Sequence, residues 1–203
     1  METDTLICRL RRAVAGPPGE AGGDHRLDPG LAPRAPAVAA AVLVPVLRRP
    51  APTVLLTRRT DHLHDHAGQV SLPGGRCEPG DPHPEATALR ESEEEIGLAP
   101  GAVEILGRLE RYETVTGFAI TPVLALVDGG FVPRPDPFEV AEVFEVPLAQ
   151  VLDPAAYRLE RREVAGRRRT FRVLPHPRHF IWGATAGILY RLACRCADAA
   201  AGV

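Results

Sequence analysis

Four glutamates crowd the segment Arg90-Glu91-Ser92-Glu93-Glu94-Glu95-Ile96-Gly97. Like charges at i,i+4 weaken a helix, so either solvent carries this charge or a cation belongs beside it. Side chains on a helix recur on one face at i, i+3 and i+4. That spacing groups Glu91, Glu94 and Glu95 and turns Glu93 away as an ordinary solvated residue. Three carboxylates on one face make a hard-oxygen site suited to Mg²⁺ or Mn²⁺. Mg²⁺ binds few protein carboxylates, keeps waters and bridges to a substrate's phosphates. Arg90 can pair with a carboxylate and fix its direction. The preceding Leu72-Pro73-Gly74-Gly75 supplies backbone that a ligand can approach without side-chain interference. The plain alternative is a solvated acidic helix face, a common feature, and the charges alone leave both readings open.

The elements around this segment must hold it. Pro82 and Pro84 stand where a helix can begin, and Gly97 where one commonly ends. Leu89, Ile96 and Ala86 fall opposite the carboxylates, so that side is expected to pack on a sheet. Upstream, residues 37–47 and 52–59 read as two strands joined by a turn at Arg49–Pro52. Residues 61–81 read as loop, rich in turn residues. Downstream, residues 103–115, 118–127 and 141–148 read as strands, with a loop over 128–139. Residues 157–164 and 167–175 form a polar hairpin turning at Ala165-Gly166. The apolar-faced segment 181–196 closes the chain as a helix, with Phe180 and Trp182 at its start as core residues. Strands, a helix, more strands and a final helix predict an α/β fold, a mixed sheet covered by helices.

The chain has 203 residues, enough for one domain with a real core. Hydrophobic residues make up 45% and charged residues 25%, a globular composition. A net charge of −2 does not advertise a nucleic-acid or membrane binder. All 24 basic residues are arginine and asparagine is absent, which reads as compositional bias rather than function. Cys8, Cys77, Cys194 and Cys196 show no framework spacing. The N-terminus lacks the regions of a signal peptide, and no apolar run approaches a membrane span. A cytoplasmic location is expected. Residues 1–36 read as a short helix and a Pro/Gly-rich arm, 37–196 as the folded domain, and 197–203 as a tail.

The order of residues carries more than the charges do. Gly75, Asp81, Arg90-Glu91, Glu94-Glu95, Gly97 and Leu98 resemble the Nudix box, G-x5-E-x7-R-E-U-x-E-E-x-G-U with U bulky and apolar. Asp81 stands where the box has Glu, the spacer to Arg90 is one residue longer, and Ser92 replaces an apolar residue. Upstream, Leu55, Leu56, Thr57, Arg59, Gly68, Pro73, Gly74 and Gly75 resemble the added signature of the coenzyme A diphosphatase branch. Thr60, His64 and Leu72 depart from it, where that pattern has Ser or Ala, Arg and Phe. The resemblance covers roughly residues 37–192.

The resemblance implies a Nudix fold, an α/β/α sandwich around a mixed β-sheet, and hydrolysis of a nucleoside diphosphate derivative with Mg²⁺ or Mn²⁺. It implies that Glu91, Glu94, Glu95 and the Gly75 carbonyl hold the metal and that Arg90 orients the glutamates. Its branch cuts coenzyme A to 3′,5′-ADP and 4′-phosphopantetheine. The general base is open among Glu94, Glu139 and Glu142. Arg59, Thr57, His64, Gly68 and Gly74 are the expected substrate contacts, with His64 a weaker, pH-sensitive partner than arginine. His62, His64 and His66 alternate with Asp61 and Asp65, which reads as a loop near substrate or, less simply, a metal site. Arg58 and Arg167–Arg169 read as solvent-facing. ADP-ribose or NADH is the alternative substrate class. A binding module that senses a nucleotide without cutting it would be expected to lack the carboxylates. The partner is a small molecule, with no nucleic acid or membrane, and the chain is a monomer or homodimer.

Overall fold

The apolar run Val38–Leu47 is buried on both faces from Ala40 onward, as a central strand must be, while Val38 and Ala39 are exposed. Its side chains alternate: Ala41 and Leu43 enter one core cluster, Val44 and Val46 the other. The computed structural model describes residues 2–28, 31, 35, 37–63, 65–164 and 166–201. In chain order the elements are α1 (Glu2–Ala13), β1 (Gly22–Gly23), β2 (Val38–Leu47), β3 (Thr53–Arg59), β4 (Val70–Ser71) and β5 (Gly74–Arg76). Then come α2 (Pro84–Ile96), β6 (Val103–Arg108), β7 (Tyr112–Glu113), β8 (Phe118–Val127) and β9 (Val140–Pro147). The chain closes with α3 (Leu148–Val151), β10 (Arg158–Val164), β11 (Arg167–Leu174), β12 (Ile181–Trp182) and α4 (Gly183–Ala201).

The sheet is mixed. β2 runs parallel to β8 along its length, from Val38↔Phe118 to Leu47↔Val127. Its other edge is shared: Val46 and Leu47 pair antiparallel with β3, whereas Ala40–Val42 pair with β5. This fork brings Gly74 and Gly75 beside the sheet centre. β9 pairs with β3, so strands distant in sequence converge at the fork. α2 covers one face through Ala88 and Ile96, against Leu43, Leu55 and Val123. α1 and α4 cover the other, where Leu10, Leu189 and Leu192 meet Val44, Val46 and Leu56. The result is the expected α/β/α sandwich.

Several expectations for individual elements need correction. The segment 61–81 is not all loop, because β4 and β5 pair with β3 and β2. Residues 103–115 are two strands, β6 and β7, with an irregularity in the β6 ladder between Ile105 and Gly107. Ile181–Trp182 is a strand paired with Leu174 and Val173, so Trp182 precedes α4 rather than opening it. The arm is tied down: β1 runs parallel to β7, and Asp24–Arg26 is a 3₁₀ turn. Leu10 is fully buried, and burying a leucine contributes about 1.5–3 kcal/mol. The N-terminal helix therefore shares the main core. Among the described residues no helix is long and apolar enough to cross a membrane.

Candidate active site

α2 begins at His83, whose Nδ1 accepts from Ala86 N at 3.2 Å, with Pro84 in the first turn. It ends at Gly97, at φ 68°, where Gly97 N and Leu98 N donate to Glu93 O and Ser92 O. Such a left-handed cap suits glycine. The buried stripe is Thr87, Ala88, Ser92, Glu95 and Ile96, with Leu89 and Ala86 only half-buried. The expected packing face is thus rotated toward Glu95, because small residues at 88 and 92 let the helix lie close to the sheet. Ser92 tolerates full burial by donating its hydroxyl to Ala88 O at 2.6 Å.

The three candidate carboxylates occupy different environments. Glu95 is 4% exposed, accepts from Gly74 N at 3.3 Å, and lies 3.8 Å from Arg59 Nη1. Burial pushes its carboxyl up to about 8, against the pull of Gly74 N–H and Arg59. Glu91 sits 3.0 Å from Arg90, and burial raises its carboxyl too. A Cβ on Gly75 would lie 2.5 Å from the Glu91 carboxylate, so a larger residue there would push that carboxylate aside. Glu94 is 60% exposed and points to Arg90 at 3.1 Å. Among the described residues no three His, Cys, Asp or Glu side chains close around one point. The expected face of three is therefore two inward carboxylates and one outward.

Glu139 supplies further negative charge. It raises the carboxyls of both Glu91 and Glu95. Its backbone is fixed, its N–H donating to Asp136 O and its carbonyl accepting from Thr60 N. Glu142 is engaged elsewhere, 3.3 Å from both Arg178 and His179. Of the two strand-edge candidates for a base, Glu139 adds to the negative charge felt by Glu91 and Glu95, whereas Glu142 is paired with Arg178 and His179. Desolvated carboxylates facing a third negative charge are the setting that a divalent cation offsets, and the all-oxygen donors suit Mg²⁺ or Mn²⁺. The residues present fit such an ion.

Arg90 is bracketed on several sides. Its Nε and Nη2 donate to Asp81 at 3.3 and 3.2 Å, and Nη2 also donates to Arg76 O at 3.1 Å. The Arg90 guanidinium holds the Asp81 carboxyl down at about 2, helped by donors from Glu78 N and Thr87 Oγ1. Asp81 N in turn donates to Glu78 O at 3.0 Å, closing a turn ahead of the helix. Asp81 is thus an anchor for Arg90, a role the sequence departures had obscured. The signal was present in its place ahead of the helix.

The expected substrate contacts divide. Arg59 and Gly74 line a cavity of about 560 Å³ bordering this site, together with Gly75 and Arg76. Arg59 Nε is buried without a hydrogen-bond partner. Thr57 is a correction: it is 1% exposed and its hydroxyl is spent on Ser71, so it pins β3 to β4 instead of facing a ligand. Gly68 is another, since at φ 67° it forms a turn, its N–H reaching Thr60 O, and a Cβ there would meet Asp61. His64 lies outside the described residues. His62 packs edge-on against Phe138, and His66 pairs with Gln69, so these two serve separate contacts. Arg58 pairs with Asp61 at 3.1 Å. Phe171, Trp182, Ile188 and Leu31 complete walls that no motif announced; runs of apolar residues far apart in sequence carry no spacing signal.

Helices thus cover both faces of a forked sheet, and carboxylates from one of them face a glycine loop. The NUDIX domain family matches residues 37–167, and the chain belongs to that family. Over 156 residues it is 44% identical to an uncharacterized Nudix hydrolase, NudL, of Escherichia coli (strain K12), covering 76% of this chain and 80% of that protein. NudL of Shigella boydii (serotype 4, strain Sb227) matches at the same identity and coverage. A MutT/nudix family protein from Enterococcus faecalis is similar in fold, with a TM-score of 0.52 at 19% identity over 83% of this chain and 65% of that one. The family acts on nucleoside diphosphate derivatives and generally uses divalent ions such as Mg²⁺ or Mn²⁺.

Proposed function

We propose that this enzyme hydrolyses the diphosphate of coenzyme A or its acyl derivatives, giving 3′,5′-ADP and 4′-phosphopantetheine or its acyl form. The observation that carries this reading is the meeting of two motifs. Arg59, from the upstream signature, lies 3.8 Å from Glu95 of the box, and Gly74 N donates to the same carboxylate. The signature that distinguishes the branch therefore adjoins the carboxylates instead of lying apart from them.

Glu91, Glu94, Glu95 and the Gly75 carbonyl would hold the divalent ion, which when bound supplies positive charge to the diphosphate and to the attacking water. Arg90, fixed by Asp81, orients Glu91 and Glu94. Arg59 borders the cavity, and its guanidinium offers donors to a phosphate oxygen. Glu139 takes the proton as water adds to phosphorus, and the bond from that phosphorus to the bridging oxygen breaks. The test is product analysis with Mn²⁺ or Mg²⁺ and coenzyme A, ADP-ribose, NADH and a nucleoside triphosphate in parallel. Release of 3′,5′-ADP mainly from coenzyme A is expected. Preference for ADP-ribose or NADH would leave the carboxylate site standing and discard the branch.

A further inference from the structure

We propose that the cavity behind Gly74 and Gly75 seats the apolar half of the substrate, the pantetheine arm with any acyl chain. We further propose that the N-terminal arm closes its outer wall and sets which chain is accepted. This rests on the coenzyme A reading above and assigns the two halves of that substrate to opposite sides of the carboxylates.

The cavity is the right kind of place. At about 560 Å³ it falls in the range of small-molecule sites. Val42, Leu72, Phe118, Ile120, Trp182 and Ile188 line it. Arg59, Arg76 and Arg169 also border it, but the exposed lining is mainly apolar, and a 3′,5′-ADP half would bring more charge onto it than a pantetheine chain. A pantetheine chain brings methylenes and two amides. Arg169 borders the cavity, and its guanidinium can donate to such an amide. Arg59, 3.8 Å from Glu95, and Arg169 thus mark where a phosphate and an amide or thioester carbonyl would lie.

The arm is held as a wall, at several points. β1 pairs with Tyr112 and Glu113, and Arg191 Nη2 donates to Glu20 O at 3.1 Å. Asp28 Oδ2 accepts from Thr170 N at 2.6 Å, latching the arm to the β10–β11 hairpin. Leu31 N donates to Asp28 O at 2.8 Å, which places Leu31 on the cavity beside Asp28. Removing the latch should open this side, and enlarging residue 31 should fill it.

Trp182 is the single tryptophan of the sequence and lines the cavity, so its fluorescence reports occupancy. Titration of the full chain with S-decanoyl-pantetheine should shift its emission, and titration with 3′,5′-ADP should not. In turnover, Asp28→Ala should raise the ratio of kcat/KM for palmitoyl-coenzyme A over coenzyme A by about tenfold, and Leu31→Phe should lower it by a similar factor. Asp28→Asn keeps an acceptor for Thr170 N and should keep the wild-type ratio. A general loss of fold lowers both substrates together and would not move the ratio in opposite directions. The proposal is overturned if 3′,5′-ADP alone shifts Trp182, or if coenzyme A is cut and neither variant changes the ratio. Absence of coenzyme A turnover would instead discard the proposed function, and the Trp182 titration would still decide what the cavity holds.

Discussion

The two sides of the β5 ribbon are built in opposite ways. On one side, α2 presents Glu91, Glu94 and Glu95 within five residues, the first two held by Arg90, which Asp81 fixes. On the other, the cavity wall draws on the arm, β4, the loop at Thr114–Thr116, β11 and α4. The charged side lies wholly within residues 37–167, the family match; Leu31, Phe171, Trp182 and Ile188 lie outside it. Bond-breaking chemistry needs few groups at fixed spacing, which one helix can supply. Shape selection needs area, which only the assembled fold supplies.

The largest expected effect falls on the charged side. Glu95→Gln and Glu91→Gln should each reduce turnover to the metal-free background while the fold persists by circular dichroism. Next, Glu139→Gln should lower kcat by about 10²–10⁴-fold with KM little changed, as for loss of a general base. Glu142→Gln should leave kcat near wild type, because Glu142 is spent on Arg178 and His179. Equal losses in the two would remove the distinction drawn between them. Asp81→Ala frees Arg90 and should cost about 10–100-fold, the usual scale for a group that orients metal ligands.

Smaller effects separate stability from chemistry. Glu95 ordinarily titrates near 4.5 and is pushed up to about 8. Between those values the folded metal-free protein holds a proton that the unfolded chain has released. This contribution to stability is present at low pH and is lost as pH rises through about 8. A divalent ion binds the ionised form. The rise in Tm produced by millimolar Mn²⁺ should therefore grow from about pH 5 to about pH 8 and level off above. Glu95→Gln should abolish this growth. On the opposite face, Leu10→Ala should cost about 2–5 kcal/mol of stability, measured by urea unfolding, with kcat unchanged.

What was legible in the sequence follows the same division. Pro84, Gly97 and the glutamate spacing located α2 because caps and helical periodicity act within one segment. The continuous apolar run Val38–Leu47 located the central strand. Two things escaped. Ser92 and Ala88 turn a different face of α2 to the sheet than Leu89 suggested, because close packing favoured small residues over the larger one. Thr57 and Gly68 match a substrate signature yet serve pairing and a turn, since a signature records position without saying which way a side chain faces. Glu139 could be named but not ranked above Glu142, because their distances to α2 depend on how β9 meets β3.

The most direct test of the whole account couples metal binding to bond cleavage in one preparation. Mn²⁺ binding by electron paramagnetic resonance and 3′,5′-ADP release from coenzyme A would be followed together in wild type and Glu95→Gln. The account predicts that wild type binds Mn²⁺ and releases 3′,5′-ADP with an equal amount of 4′-phosphopantetheine, and that Glu95→Gln loses both. Undiminished cleavage by Glu95→Gln, or by wild type in excess chelator, would contradict it.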